Sequence, residues 1–145
     1  MKEFNLTVIR EQARKEKIGL ADAEKDYVLS VMLVELSKLP EADDLVFKGG
    51  TCLKKVYFQE YRFSSDLDFT VVTNIKSKLK TKVIEIFQNK EIESVQFLKA
   101  IDKTEKDKNT LRLSVQYESK VASFQGKKHV DSVWLDFNFD SKVSI

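Results

Sequence analysis

Apolar residues recur along this chain with two spacings, one typical of helices and one typical of strands. The segment 5–17 has an amphipathic helical pattern that stops before Gly19. A second helical pattern runs from about Asp22 to Leu39 and ends at Pro40, which cannot continue a helix. A third, from about Ser77 to Gln88, keeps its apolar residues on one face and its lysines off it.

Five further segments have the short apolar or alternating pattern of β-strands, and they are residues 45–47, 66–72, 92–100, 110–118 and 132–139. Polar loops separate the last three, which indicates antiparallel hairpins. The order of helices and strands predicts an α+β (mixed α/β) fold, in which helices pack mainly on one face of a mixed five-stranded sheet.

The composition is that of one globular domain. The chain has 145 residues, of which 42% are hydrophobic and 33% are charged, a balance that is neither disordered nor membranous. We assign residues 1–145 to a single core domain, with an N-terminal helical pair at 1–40 and the sheet region at 44–140.

Charge and cysteine content restrict the function further. A net charge of +2, from 25 basic and 23 acidic residues, gives no overall polycation for non-specific binding to nucleic acid. Lys103, Lys106 and Lys108 alternate with acidic residues and predict only a solvated loop. The single Cys52 cannot form an internal disulfide, and neither an apolar signal segment nor a run of about 20 apolar residues is present. We expect a cytoplasmic protein that does not enter a membrane.

A glycine turn follows the strand at 45–47. Gly49, Gly50 and Thr51 lead into a predicted helix from Cys52 to Tyr61. Without side chains the backbone can approach a phosphate closely, and a helix start adds unpaired N–H groups. By itself, so short a motif favours the alternative of a tight turn with a threonine cap.

Two aspartates lie at the start of the strand at 66–72. Asp66 and Asp68 are two residues apart on a strand, so both carboxylates point to the same face. At about 4 Å they would repel by roughly 4 kcal/mol at an effective dielectric of about 20. A divalent cation would offset that repulsion; the alternative is a solvated strand end.

A third aspartate stands inside the apolar last strand. Asp136 shares a face with Trp134 and Asn138, and an unpaired buried carboxylate is unfavourable. If this strand neighbours the one at 66–72, three carboxylates meet beside the glycine turn. Asp131 and Asp140 are the competing candidates, at the two ends of the strand. Trp134 either stacks on a base or packs against the protein.

Together these features resemble a known family. The segments 47–53 (Phe-Lys-Gly-Gly-Thr-Cys-Leu) and 61–69 (Tyr-Arg-Phe-Ser-Ser-Asp-Leu-Asp-Phe), with the helical segment 24–29, are similar to the AbiEii/AbiGii nucleotidyltransferase toxin family. That family belongs to the DNA polymerase beta-type nucleotidyltransferase superfamily. The resemblance implies the nucleotidyltransferase fold and covers most of the chain.

The resemblance also implies an activity and roles for the aspartates. The family transfers a nucleoside monophosphate from a nucleoside triphosphate (NTP) to an acceptor, with Mg²⁺ or Mn²⁺ as cofactor. Asp66 and Asp68 would bind the metals, and Asp136 would bind one metal and help to activate the attacking hydroxyl. The residues expected to hold the nucleotide phosphates are Gly49, Gly50, Thr51, Lys48, Arg62 and Ser64.

The implied partners are an RNA acceptor such as tRNA and a cognate antitoxin protein, as in toxin–antitoxin or abortive-infection systems. Family members usually continue into a C-terminal helical region, which we expect to be absent after Ile145. Two alternatives stay open, namely a non-catalytic binding module with the same fold and transfer to a protein hydroxyl.

Overall fold

The structure is a computed structural model that describes residues 6–17, 19–47, 51–52, 66–106 and 108–139. The helices are α1 (Leu6–Glu16), α2 (Leu20–Ser37), α3 (Lys76–Phe87) and α4 (Lys120–Phe124), with a 3₁₀ helix at Pro40–Asp44. The strands are β1 (Leu45–Phe47), β2 (Thr51–Cys52), β3 (Asp66–Val71), β4 (Glu91–Ile92), β5 (Val95–Asp102), β6 (Thr110–Glu118) and β7 (Val130–Phe139).

The strands pair in the order β2-β1-β3-β7-β6-β5-β4. Only β3 and β7 pair in parallel among the described strands, and the other pairs are antiparallel. The predicted mixed sheet is therefore confirmed, but the predicted number of five strands is wrong. Six strands form the main sheet, and β4 pairs only with the start of β5. Because β2 and β4 have two residues each, they leave no periodic pattern in the sequence.

A second correction concerns the start of the predicted helix at Cys52. Cys52 lies in β2, opposite Val46 of β1, so the chain is still extended at that position. The other predicted residues of that helix, 53–61, lie outside the described residues.

One face of the sheet is apolar and forms the core with α2 and α3. Leu67 and Phe69 of β3 and Leu135 and Phe137 of β7 are almost fully buried there. The rings of Phe69 and Phe137 stack with centroids 5.2 Å apart. Burying side chains of this size contributes about 1.5–3 kcal/mol each, so this layer fixes how β3 and β7 align. No helix in the described ranges is both long and apolar enough to cross a membrane.

A buried carboxylate joins α2 to α4. Glu24 is only 3% exposed, and the Ser119 hydroxyl donates to its Oε1 at 2.6 Å. The backbone N–H groups of Lys120 and Val121 donate to its Oε2 at 2.7 and 3.0 Å. Glu24 thus satisfies N–H groups at the start of α4, where helices have unpaired donors, and fixes the β6–α4 connection against α2.

We expect Glu24→Ala to lower the free energy of unfolding by about 3 kcal/mol, because three donors lose a charged acceptor inside the protein. Urea unfolding followed by circular dichroism measures the change. Glu85→Ala is the matched control, since Glu85 is an exposed residue of α3. A loss for Glu24→Ala no larger than for the control would contradict the anchoring role.

Candidate active site

The parallel pairing of β3 with β7 places two of the predicted aspartates side by side. Asp68 is the register partner of Asp136, and Asp66 is the partner of Trp134. Neighbouring strands lie about 4.8 Å apart, and side chains in register project to the same side. The two strands are therefore neighbours, and their polar faces are aligned. This is the arrangement in which the sequence predicts that the three carboxylates meet.

Strand β6 extends this polar surface on the other side of β7. Arg112 is the register partner of Asp136, and Thr110 is the partner of Asn138. We define the carboxylate face as the polar side of β3, β7 and β6, made of Asp66, Asp68, Thr70, Trp134, Asp136, Asn138, Thr110, Arg112 and Ser114. Alternation along each strand turns this face away from the apolar core.

The competing aspartates have other positions. Asp131 shares its side of β7 with the core residue Val133, and its carboxylate accepts a hydrogen bond from the Tyr117 hydroxyl at 3.4 Å. It also pairs with Lys25 at 3.5 Å. Burial and the nearby Asp131 carboxylate raise the pKa of the Tyr117 hydroxyl. Asp131 therefore belongs to a structural cluster on the opposite side of the sheet from Asp136, and Asp140 lies outside the described residues.

Asp68 and Asp136, the register partners on β3 and β7, have different polar neighbours. The Asn138 side-chain amide donates to Asp68 Oδ1 at 3.1 Å. Arg112 Nε lies 3.3 Å from Asp136 Oδ1, but this buried N–H makes no hydrogen bond with the described residues. The Arg112 guanidinium lies 4.3 Å from the centroid of the Trp134 ring. Asp136 therefore has a countercharge beside it, held on an aromatic ring, without a donated hydrogen bond from it.

The pKa of Asp136 lies above its ordinary value for reasons visible in this geometry. Partial burial raises the pKa most, and the charges of Asp68 and Asp66 raise it further, while Arg112 lowers it. Asp136 is half-buried, whereas Asp66 and Asp68 are exposed. A raised pKa improves the ability of a carboxylate to accept a proton, and it reports mutual repulsion that a cation would relieve.

A cavity of about 280 Å³ opens above the carboxylate face. Its lining residues are Asp68, Glu105, Lys108, Thr110, Arg112, Asp136 and Asn138. Glu105 and Lys108 come from the β5–β6 loop and pair at 3.1 Å. Lys108 is exposed in this loop, as the sequence predicted, and it also borders the cavity.

Arg112 was not among the residues that the sequence predicted for this site. The pattern that could have identified it is the polar alternation of β6, in which Thr110, Arg112 and Ser114 share a face between apolar residues. A single arginine in the middle of an apolar strand indicates a partner on the sheet, as a single aspartate does, because a buried charge without a partner is unfavourable.

Several predicted phosphate-binding residues lie outside the described residues, namely Lys48, Gly49, Gly50, Arg62 and Ser64. The backbone of Thr51 lies in β2, and its side chain is not described. Strand β1 ends at Phe47, opposite Phe69 of β3. Because Phe69 is next to Asp68 in the chain, β1 ends within one residue of the position opposite Asp68.

The three aspartates fit a hard divalent cation by their chemistry. Carboxylate oxygens are the ligands that Mg²⁺ and Mn²⁺ prefer, and Asp66 and Asp68 lie on the same face of the sheet as Asp136. In the described ranges, no three Asp, Glu, His or Cys side chains are grouped as a ready metal site. Asp68 faces Asn138, and Asp136 faces Arg112.

Comparison with known proteins gives the same family as the sequence motifs. Residues 31–144 match the model of the nucleotidyl transferase AbiEii toxin family, described as a type IV toxin–antitoxin system. No curated protein matches the chain. Among solved structures, the fold is similar to that of MenT4, a nucleotidyltransferase toxin from Mycobacterium tuberculosis H37Rv, with a TM-score of 0.59 and 20% identity. The similarity covers 93% of this chain but 44% of MenT4, so the chain spans less than half of that protein.

We expect Asp68→Asn to lower the pKa of Asp136 and Arg112→Gln to raise it, in protein without added metal. The first change removes a negative charge that disfavours the Asp136 carboxylate, and the second removes the positive charge that favours it. Carbon-detected NMR titration of the side-chain carboxyl groups measures both. Asp22→Asn is the control, since Asp22 is exposed in the first turn of α2. Shifts of the same sign in both variants would contradict the charge arrangement.

Proposed function

The chain belongs to the AbiEii nucleotidyltransferase toxin family, and from that premise we propose that it transfers a nucleoside monophosphate from an NTP to a hydroxyl of an RNA acceptor. The register that sets Asp68 beside Asp136, with Asp66 on the same face, carries this proposal. Nucleotidyl transfer needs negative oxygen ligands gathered at one point on a rigid support, and adjacent strands of one sheet supply such a support.

Asp66 and Asp68 would hold Mg²⁺ or Mn²⁺, and Asp136 would complete the set of ligands. When bound, the metal would neutralise charge on the triphosphate and on the oxygens of the displacement. Asp136 would also help to activate the attacking hydroxyl, since it is the half-buried member of the set and lies between Asp68 on β3 and Arg112 on β6. The exposed Asp66 and Asp68 remain available as ligands on the open side of the face.

The triphosphate would lie on the β1 side of the carboxylates. Gly49, Gly50 and Thr51, together with Lys48, Arg62 and Ser64, are the residues that we propose for phosphate binding. The end of β1 beside the Asp68 row supports this assignment, because the glycine segment follows β1 directly in the sequence. Backbone N–H groups and cationic side chains at that position would bind the phosphates and orient the α-phosphate over the aspartates.

The biological setting follows from the family. A type IV toxin–antitoxin system includes an antitoxin, so we propose a cognate antitoxin protein as a partner. We further propose tRNA as the RNA acceptor and the cytoplasm as the location, where NTPs and tRNA are both available.

The direct test is to incubate the protein with each radiolabelled NTP, Mg²⁺ and total RNA, and to separate RNA from protein before counting. We expect label on RNA in the presence of Mg²⁺ and none in the presence of a chelator. Label on protein would instead indicate transfer to a protein hydroxyl. No label from folded protein would support the non-catalytic module and contradict the proposal.

We expect Asp68→Asn to abolish the Mg²⁺–NTP thermal shift and to reduce transfer by about a hundredfold or more, since metal stabilisation is worth several kcal/mol. At about a hundred times its Kd, a ligand stabilises by about 2.7 kcal/mol, which raises the Tm of the wild-type protein by about 8 °C. The fold should persist, because an asparagine keeps the oxygen that accepts from Asn138.

Glu91→Gln serves as the control for charge, since Glu91 is an exposed residue of β4. Differential scanning fluorimetry with and without Mg²⁺ and NTP measures the shift. An Asp68→Asn protein with a wild-type shift would exclude Asp68 from metal binding.

A further inference from the structure

We propose that Arg112 binds a backbone phosphate of the RNA acceptor, so that the β6 side of the carboxylate face is the acceptor side of the site. This inference rests on the proposed function. It adds a residue that binds the acceptor and the side of the site from which the acceptor approaches. It follows from the order of strands across the sheet, from the surroundings of Arg112, and from the charges that border the cavity.

The order of strands separates the two sides of the reaction. The attacking and leaving oxygens lie on opposite sides of the phosphorus in an in-line displacement. The proposed triphosphate segment follows β1, which lies on the outer side of β3. Asp68 on β3 and Asp136 on β7 come next, and Arg112 on β6 lies beyond them. An acceptor that approaches opposite the leaving group therefore arrives over β6.

Arg112 is oriented for an anion that is not part of the described protein. Its guanidinium rests on Trp134 at 4.3 Å, a contact that favours a fixed position. Its side chain is 44% exposed, and its Nε donates no hydrogen bond to a described residue. An arginine that served only to neutralise Asp136 would donate to that carboxylate in a paired geometry; here Nε lies beside Oδ1 without doing so.

The neighbouring residues suit a nucleic-acid strand. Lys108 borders the same cavity, and the Thr110 side chain adds a hydroxyl beside it. Arginine and lysine bind backbone phosphates, and the plane of an arginine guanidinium can also stack on an unpaired base. Glu105 also borders the cavity and pairs with Lys108 at 3.1 Å, so Lys108 contributes less than Arg112, whose Nε donates no hydrogen bond to a described residue. These observations favour RNA over a protein as the acceptor.

The test compares the affinity for RNA with nucleotide binding in the same variants. The probe is a short fluorescein-labelled single-stranded RNA, measured by fluorescence anisotropy at several salt concentrations. We expect Arg112→Gln to weaken RNA binding about tenfold and to reduce the salt slope by about 0.7, the value for one phosphate contact to a single strand. Arg112→Lys should keep most of the affinity, because it keeps the charge. The Mg²⁺–NTP thermal shift should persist in Arg112→Gln, because the three proposed carboxylate ligands remain.

Lys108→Gln tests the same surface without disturbing the sheet, since Lys108 is exposed in a loop; it should weaken RNA binding by a smaller factor. Lys99→Gln, an exposed change on β5 outside the cavity, removes the same charge and should leave RNA binding unchanged. If Arg112→Gln does not fold, the RNA affinity of Lys108→Gln is the test. Unchanged RNA affinity in that variant then overturns the inference.

The remaining outcomes separate the two proposals. Lost nucleotide binding with unchanged RNA affinity in Arg112→Gln would assign Arg112 to the triphosphate and overturn the inference. Label transfer to protein without RNA binding would overturn it as well. Weakened RNA binding in a protein that transfers no label would contradict the proposed function and leave the RNA contact of Arg112 standing.

Discussion

The alignment of β3 with β7 is the constraint on which both the core and the candidate site depend. A shift of one residue would turn every side chain of a strand to the opposite face. Here Leu67 and Leu135 are partners, and so are Phe69 and Phe137, on the apolar side. The same register makes Asp68 and Asp136 partners on the polar side. Packing of the aromatic layer therefore holds the carboxylates together, although those carboxylates repel one another.

Much of this arrangement could be predicted from local patterns. Strict alternation in β3 and β7 showed which residues share a face, and the aspartates stood out because they interrupt apolar strands. The parallel pairing itself could not be derived, because residues about seventy positions apart leave no periodic signal when they meet. Strands β2 and β4 were missed because they are too short. The exposed side chain of Lys108 agrees with the predicted solvated loop, but the local mixture of charges could not show that this loop borders the cavity.

Two acidic residues of this protein show how a structural carboxylate differs from one suited to chemistry. Glu24 is almost fully buried, yet its carboxylate accepts three short hydrogen bonds. These protein donors replace the water molecules that an exposed carboxylate would bind. Asp136 is only half-buried, but its nearest cation does not donate to it and two further aspartates lie on its face. A carboxylate whose pKa is raised by burial and by two acidic neighbours is a candidate for a functional site.

The position of β7 in the chain has a consequence for synthesis on the ribosome. It is the last described strand, yet it lies between β3 and β6 and pairs with both. Until residues 130–139 have emerged, the two earlier strands have no common partner and their polar backbone edges remain open to other chains. A product that ended before residue 130 would thus leave one edge of β3 and one edge of β6 without the strand that pairs with both, and such open edges favour aggregation.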